Sequence, residues 1–150
     1  MEELPNYRWG ETVALDASIY EGLAAFRLAL RRFLAFSETA TGAAGITAQQ
    51  YQALLVIQTT PEREIMIGEF ADQMLLKPNG AVQMINRLAN AGLVKRRHSP
   101  LDRRSVLVSM TVKGMILLER LASQHVEELL QQEPLLAESL RRLRQMGRAR

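Results

Sequence analysis

The order of short elements in the middle of the chain constrains the fold most. The segment from Ile67 to Val94 predicts two short helices with a tight break at Lys77 to Gly80, because proline suits the first turn of a helix. Two β-forming runs follow, Val94 to His98 and Ser105 to Met110, joined by the polar loop Ser99 to Arg104. This order predicts a winged helix-turn-helix, whose second helix enters the major groove of DNA.

The second of these helices has two distinct faces. Helical spacing predicts a buried side at Ala81, Ile85 and Leu88, with Val82 and Ala89 beside it. The side left toward solvent or a ligand carries Asn79, Gly80, Gln83, Asn86 and Arg87. Gly92 lies where the end of a helix favours a left-handed residue.

Helices are also predicted before this module. The first runs from about Leu15 to Ala40 and ends at the sequence TGAAG, residues 41–45. Thr47 and Gln50 match a capping box, which predicts a second helix from Ala48 to about Gln58.

Two more helices are predicted after the module. Thr111 is a plausible N-cap for a long helix from about Val112 to Gln132, in which Gly114 is a mild cost, and Pro134 starts a last helix. Apolar stripes at alternating steps of four and three predict dimerisation surfaces on the first and last helices. Their members are Ile19, Leu23, Phe26, Leu30 and Phe33 in the first and Leu136, Leu140 and Leu143 in the last.

Composition excludes several classes of protein. A chain of 150 residues with 47% hydrophobic residues predicts one domain with a real core. The absence of cysteine excludes disulfides and thiol redox sensing. The acidic N-terminus does not resemble a signal peptide, and no run of about 18 apolar residues occurs. We therefore expect a soluble cytoplasmic protein without a membrane segment.

The inventory of reactive residues argues against an enzyme. His98 and His125 are the only histidines, and neither has a cysteine or a carboxylate pair at metal-ligand spacing. No Gly-rich phosphate loop or nucleophile elbow occurs either. We expect no catalytic residues, no metal and no cofactor, and interpret His125 as a partly buried helix residue.

Positive charge is concentrated in one segment. Between Lys77 and Arg104 lie seven basic residues and one acid, a net charge of +6 in a chain whose total is +3. Such a segment indicates a surface that meets a polyanion, although a solvated charged hairpin would have the same composition.

The basic residues of the predicted hairpin have distinct expected roles. Lys95, Arg96 and Arg97 would line the phosphate backbone, while Arg103 and Arg104 at the loop tip would enter a minor groove. Asp102 would instead order the tip by accepting hydrogen bonds from the loop or pairing with an arginine.

The residues from Ile67 to Gly114 resemble the multiple antibiotic resistance regulator (MarR) family. The wing pattern D-x-R lies at Asp102 and Arg104, an apolar strand follows at Val106 to Val108, and the helix start T-x-x-G lies at Thr111 to Gly114. The resemblance implies a mainly α (α+β) fold and a homodimeric, ligand-responsive DNA-binding regulator, commonly a repressor on a pseudo-palindrome. It implies one domain over residues 1–150, with dimerisation helices at 11–40 and 112–150 and a winged module at 46–111.

The expected DNA interface comprises a recognition helix at 78–91 and a wing at 94–110. Asn79, Gly80 and Gln83 differ from the Ser, Thr and basic residues usual in the family, but Asn and Gln can read adenine. The full set of predicted DNA contacts is Lys77, Pro78, Asn79, Gly80, Gln83, Asn86, Arg87, Lys95, Arg96, Arg97, Arg103 and Arg104.

Two further questions remain at this stage. By analogy with the family, a small apolar or phenolic effector is expected where the first helix, the Tyr51 helix and the start of the Met115 helix meet the winged module. The alternative to a DNA-binding regulator is a winged-helix protein-interaction module that no longer binds DNA and uses the same basic hairpin on an acidic partner.

Overall fold

The computed structural model describes residues 15–148 and confirms the predicted fold class, mainly helical with one small antiparallel sheet. The chain divides into a central unit, residues 32–131, and a terminal unit whose described residues are 15–31 and 132–148. The predicted dimerisation helix at 11–40 thus begins four residues before the described part of the chain. The elements are α1 (Ala17–Ala43), α2 (Ala48–Thr59), β1 (Glu64–Met66), α3 (Ile67–Met74), α4 (Pro78–Asn90), β2 (Val94–His98), β3 (Val106–Met110) and α5 (Val112–Arg148), with a 3-10 turn at Pro61–Arg63.

The local start and stop signals of the central helices act as predicted. Thr47 Oγ1 accepts the backbone N–H of Gln50 at 3.1 Å, and Gln50 Oε1 accepts the N–H of Thr47 at 2.9 Å, which confirms the capping box of α2. Pro78 is the first residue of α4, and Gly92 follows that helix with φ +74°. The preceding helix α3 ends at Met74, and its C-cap residue Leu75 has a left-handed φ of 55°.

Strand β1 was not predicted. It is only three residues long, and it joins the wing strands in the order β1-β3-β2 with antiparallel pairing throughout. Ile65 lies opposite Val108, and both are buried. One core in the central unit thus includes the sheet and the helices around it. Its largest fully buried apolar side chains are Leu54, Ile57, Ile65, Phe70, Ile85, Leu88, Leu93, Val108 and Leu121.

Three predicted boundaries need correction. Helix α1 continues to Ala43 because Thr41 is buried and its hydroxyl donates to the Ser37 carbonyl at 2.7 Å, so the left-handed Gly45, with φ +81°, follows the helix end. Strand β3 begins at Val106, one residue later than expected. Pro134 lies inside α5 and does not start a new helix. A proline removes only one intrahelical hydrogen bond, so the helix can continue beyond it.

Gly114 was expected to be a mild cost, and this expectation is wrong. A Cβ atom at this position would lie 2.1 Å from the carbonyl oxygen of Leu93, so only glycine fits where α5 passes the end of the α4 turn. Thr111 links the start of α5 to the turn after α4. Its hydroxyl group accepts a hydrogen bond from the N–H of Gly114 at 3.0 Å and donates one to the Gly92 carbonyl at 2.6 Å. Thr111 is therefore the predicted N-cap of α5.

His125 is a fully satisfied core residue of the central unit. Its ring stacks on Tyr51 with centroids 4.1 Å apart, and the edges of Phe33 and Phe36 flank it. Nδ1 lies 2.6 Å from the Leu121 carbonyl, which can only accept, so this nitrogen carries the proton. Nε2, 2.8 Å from Ser37 Oγ, then accepts from the serine hydroxyl.

The terminal unit pairs the first part of α1 with the last part of α5. A Cβ at Gly22 would lie 3.2 Å from the Ser139 carbonyl, so the two helix segments are in close contact. Arg142 adds ion pairs to Glu21 and to Glu138 across and along the helices. No helix within residues 15–148 is long and apolar enough to cross a membrane.

Candidate nucleic-acid interface

Helix α4 presents a polar face above a buried apolar stripe. Ala81, Ile85 and Leu88 are buried as predicted. Val82 was expected beside them, but it is exposed, and Met84 is buried in its place. Met84 lies three residues after Ala81 and four before Leu88, so it falls on the core stripe, whereas Val82 lies off it. Of the predicted outward residues, Asn79, Gln83 and Arg87 are exposed, and Gly80 and Asn86 are half-exposed. Lys77 and Pro78, which were also predicted to contact DNA, are exposed.

The N-terminus of α4 is suited to an anion. Lys77 is the residue before the helix, and no side chain caps the helix there. Because the amide groups of a first turn lack intrahelical partners and the helix dipole is positive at this end, a phosphate oxygen can be bound at this point. Lys77 adds a full positive charge to the same end.

The wing tip is ordered by its own polar groups. Asp102 Oδ1 accepts the N–H of Arg104 at 2.9 Å, and Oδ2 accepts the hydroxyl of Ser105 at 3.3 Å. The Ser105 N–H donates to the Asp102 carbonyl, and the Ser99 N–H closes the loop on the Ser105 carbonyl. The hydrogen bonds expected of Asp102 are therefore present, and they go to the loop rather than to an arginine side chain.

Arg103 and Arg104 are both exposed at this tip. Within residues 15–148, neither guanidinium has an ion-pair partner. Two unpaired positive charges thus project from an ordered loop, which leaves them available for an anionic partner.

The three basic residues of β2 do not share one face, which corrects the expectation that they line a phosphate backbone together. Successive side chains of a strand point to opposite faces. Arg96, opposite Val108, reaches α4 and donates to Asn86 Oδ1, whereas Arg97 lies on the other face of the sheet. Lys95 is exposed on the face of Arg97.

Arg97 is held by a residue that the sequence did not indicate. Its Nε and Nη2 atoms donate to the two carboxylate oxygens of Glu64, each at 2.7 Å, in a bidentate pair. The guanidinium of Arg97 lowers the pKa of Glu64, and the carboxylate in turn raises the pKa of Arg97. The partners are 33 residues apart and β1 was not predicted, so no local pattern could have shown the pair.

The basic residues of this surface fall into two groups, those that are exposed without an ion pair and those already bonded to another side chain. Lys77, Arg87, Lys95, Arg103 and Arg104 are exposed, with no ion pair to another residue of the described chain. Arg96 and Arg97 are already engaged with Asn86 and Glu64. A polar helix face and an ordered cationic loop, both built on one small core, define a winged helix-turn-helix module of the nucleic-acid-binding type.

Comparison with known proteins gives a family that the central part of the chain resembles. The sequence profile of the MarR family matches residues 44–105, which span α2 to the wing. Over these residues the chain is similar to the MarR family.

One curated relative is similar to about half of this chain. The organic hydroperoxide resistance transcriptional regulator of Bacillus subtilis is 33% identical over 75 residues, which cover 50% of this chain and 50% of that protein. The chain thus matches about half the length of this curated relative.

Solved structures show the same fold over more of the chain. AbsC, a MarR family transcriptional regulator from Streptomyces coelicolor, has a TM-score of 0.69 at 20% identity, covering 93% of this chain and 100% of that chain. Sco3205, a MarR family regulator from the same organism solved in complex with DNA, has a TM-score of 0.69 at 22% identity, covering 93% and 89%. At these identities the likeness shows the fold alone.

Proposed function

We propose that this protein is a sequence-specific DNA-binding transcriptional regulator and not an enzyme. The observation that carries the proposal is the pairing of the outward polar face of α4 with the ordered, doubly cationic wing tip. A helix of this width fits the major groove, and a narrow arginine loop fits the minor groove beside it. The match of residues 44–105 to the MarR family profile supports the same function, and the fold is that of a Streptomyces regulator solved with DNA.

Each part of the interface has a chemical role in this proposal. Asn79 and Gln83 can each form paired hydrogen bonds with an adenine edge. Lys77 and Arg87 neutralise phosphates, and Arg103 with Arg104 occupies the minor groove. Pro78 and Gly80 allow the backbone of the first turn to approach the DNA. Asn86 and Arg96 form a linked pair at the edge of the interface, and Arg97 is available to DNA only after it leaves Glu64.

We further propose a homodimer that acts as a repressor on a pseudo-palindromic operator. The terminal helix segments leave Leu23, Leu30 and Leu140 exposed on the predicted stripes, and a second copy of the chain would cover them. A two-fold axis would place two recognition helices one helical turn of DNA apart, about 34 Å, so the operator would be an inverted repeat. A dimer bound there excludes other proteins from the promoter.

A small apolar or phenolic effector is part of the proposal, with its location revised. Tyr51 is buried and stacks on His125, so its ring is not available to a ligand. A hollow of about 320 Å³ near the start of α5 has a mainly polar and charged lining, which includes Glu64, Lys95 and Arg97. A hollow of about 540 Å³ lies nearby in the central unit, between the end of α1 and α5. Its volume is in the range of small-molecule sites. Its apolar lining residues are Phe36, Ala40, Ala43, Ala44 and Leu121.

The test replaces Arg103 and Arg104 together by alanine and titrates operator DNA, selected from a random library, by fluorescence anisotropy across a salt series. A dimer loses up to four cationic groups, so the slope of log K against log salt should become shallower by up to about 3.6. The melting temperature should stay the same, because both side chains are exposed. The matched control replaces Arg31 and Arg32, an exposed pair outside the winged module, and should keep the wild-type slope.

The outcomes separate the two classes of function. A wild-type slope in the double wing variant would contradict the assigned role of the tip. An absence of salt-dependent binding to any duplex would contradict the regulator itself and favour the protein-interaction module.

A further inference from the structure

Leu101 is the most exposed large hydrophobic residue in the described part of the chain, with 96% of its surface accessible. It lies at the tip of the wing, two residues before Arg103. Single exposed leucines are common on protein surfaces and need no explanation by themselves. This one is unusual because it stands on the loop that carries the unpaired cations of the proposed interface.

The side chain of Leu101 contributes nothing to the order of the wing. The loop is fixed by the hydrogen bonds of Asp102 and by the Leu101 backbone N–H, which donates to Ser99 Oγ at 3.3 Å. Pro100 restricts the backbone just before it. The tip therefore carries an exposed apolar group that folding does not use, two residues from the first of two exposed arginines.

We propose that Leu101 is a specificity-determining residue that enters the minor groove with the wing arginines and selects against guanine there. This inference rests on the proposed DNA-binding function. The floor of the minor groove presents only acceptors at A·T pairs, whereas guanine adds its N2 amino group. A leucine pressed onto that amino group removes its water without offering a hydrogen bond, which is unfavourable. Against an A·T pair the same side chain has no donor to desolvate. Apolar side chains are known to enter the minor groove in other proteins, where they wedge between base steps.

Leu75 provides a matched control. It is 93% exposed, but it lies in the turn between α3 and α4 and not on the wing. Its left-handed backbone, with φ 55°, tolerates asparagine. Leu75→Asn and Leu101→Asn therefore make the same chemical change at two equally exposed sites, only one of which stands beside the wing arginines.

The experiment places modified bases in the selected operator. Diaminopurine in place of adenine adds the N2 amino group to the minor groove and leaves the major-groove edge unchanged, whereas inosine in place of guanine removes it. Each base pair in the segments that flank the recognition-helix sites is changed in turn. Wild-type protein should lose about 10-fold in affinity for diaminopurine at the wing position, and it should bind inosine more tightly than guanine there.

The variants decide the outcome. Leu101→Asn should reduce the diaminopurine loss to less than about 3-fold, because the amide can accept a hydrogen bond from the added amino group. Leu75→Asn should retain the full loss. Equal losses in wild type and Leu101→Asn, or no loss in wild type, overturn the inference while DNA binding itself stands. Failure of wild-type protein to bind the unmodified operator overturns the proposed function instead.

Discussion

The two units of the molecule differ in how much apolar core each of them builds from its described residues. The central unit closes around one core, in which Leu54, Phe70 and Ile85 have no accessible surface. The terminal unit leaves large side chains such as Leu23, at 46% exposure, on the predicted stripe. The difference teaches that the central unit is stabilised by a core of its own, whereas the described terminal segments bury few side chains, those of Ile19, Ala29 and Ser139.

Two glycines, one in each unit, differ in how closely neighbouring atoms approach them. A Cβ at Gly114 in the central unit would lie 2.1 Å from a backbone carbonyl, while one at Gly22 in the terminal unit would lie 3.2 Å from another. The first distance is far inside van der Waals contact, and the second requires a shift of only a few tenths of an ångström. The contact in the central unit is therefore the less tolerant of the two.

The largest expected effect follows from this contact. Gly114→Ala should destabilise the protein by about 3 kcal/mol, because α5 must move away from the Leu93 carbonyl or the α4 turn must distort. Urea unfolding followed by circular dichroism measures the change. Gly22→Ala should destabilise the protein less, since the atoms around Gly22 need to shift by only a few tenths of an ångström.

Gly42→Ala is the control for this prediction. Gly42 lies in the last turn of α1, and a Cβ there meets nothing within 4 Å. The substitution should be neutral or stabilise by about 0.5 kcal/mol, because alanine favours a helix over glycine. A Gly114→Ala variant as stable as Gly42→Ala would show that the packing of α5 is far looser than the geometry indicates.

Local signals predicted the central unit well, and long-range contacts account for what they missed. The capping box at Thr47, the helix start at Pro78 and the left-handed Gly92 each depend on a few neighbouring residues, and the structure has them as expected. Strand β1 is too short for a pattern and exists because β3 pairs with it. The need for glycine at position 114 arises from a contact with Leu93, which no spacing rule contains.

In the candidate interface, too, local signals predicted some features, and contacts between distant residues account for the others. Helical period identified the outward face of α4, since that face follows from the sequence of one element. The separation of Arg96 from Arg97 follows from the strand period of two, but their partners Asn86 and Glu64 lie on other elements. The exposure of Leu101 and the hydrogen bond of its backbone N–H depend on the folded loop, so the sequence alone could not show them.

The second prediction tests whether the uncovered surface of the terminal unit is a dimer interface. Leu30 and Leu28 are exposed to nearly the same extent, 42% and 44%, but only Leu30 lies on the predicted stripe. Leu30→Asp should weaken dimerisation by at least about 100-fold, because a charge would be buried in an apolar interface. Sedimentation velocity over a concentration series gives the dissociation constant.

Leu28→Asp is the matched control and should remain dimeric. The central unit of Leu30→Asp should keep its helical circular dichroism, because its core does not include Leu30. Equal weakening by both substitutions would assign the interface to another face of α1, and a monomeric wild type would remove the dimer from the proposal.

The smallest expected effect compares two carboxylates, one in each unit. Arg97 lowers the pKa of Glu64 in the central unit, and Arg141 with Arg142 lowers the pKa of Glu138 to about 2 in the terminal unit. A depressed pKa adds stability that is fully present above the ordinary value of 4.5 and is lost as the pH falls through the folded value. For Glu138 that window extends from about 4.5 to about 2. Both side chains are partly accessible to solvent, Glu64 at 23% and Glu138 at 41%, so water screens both pairs. Each substitution to glutamine should therefore shift the melting temperature only slightly at neutral pH and should remove part of the acid dependence. Carbon-13 titration of the two side-chain carboxyls checks the values directly, and a Glu64 that titrates like an ordinary glutamate would mean that its bidentate pair with Arg97 does not persist in solution.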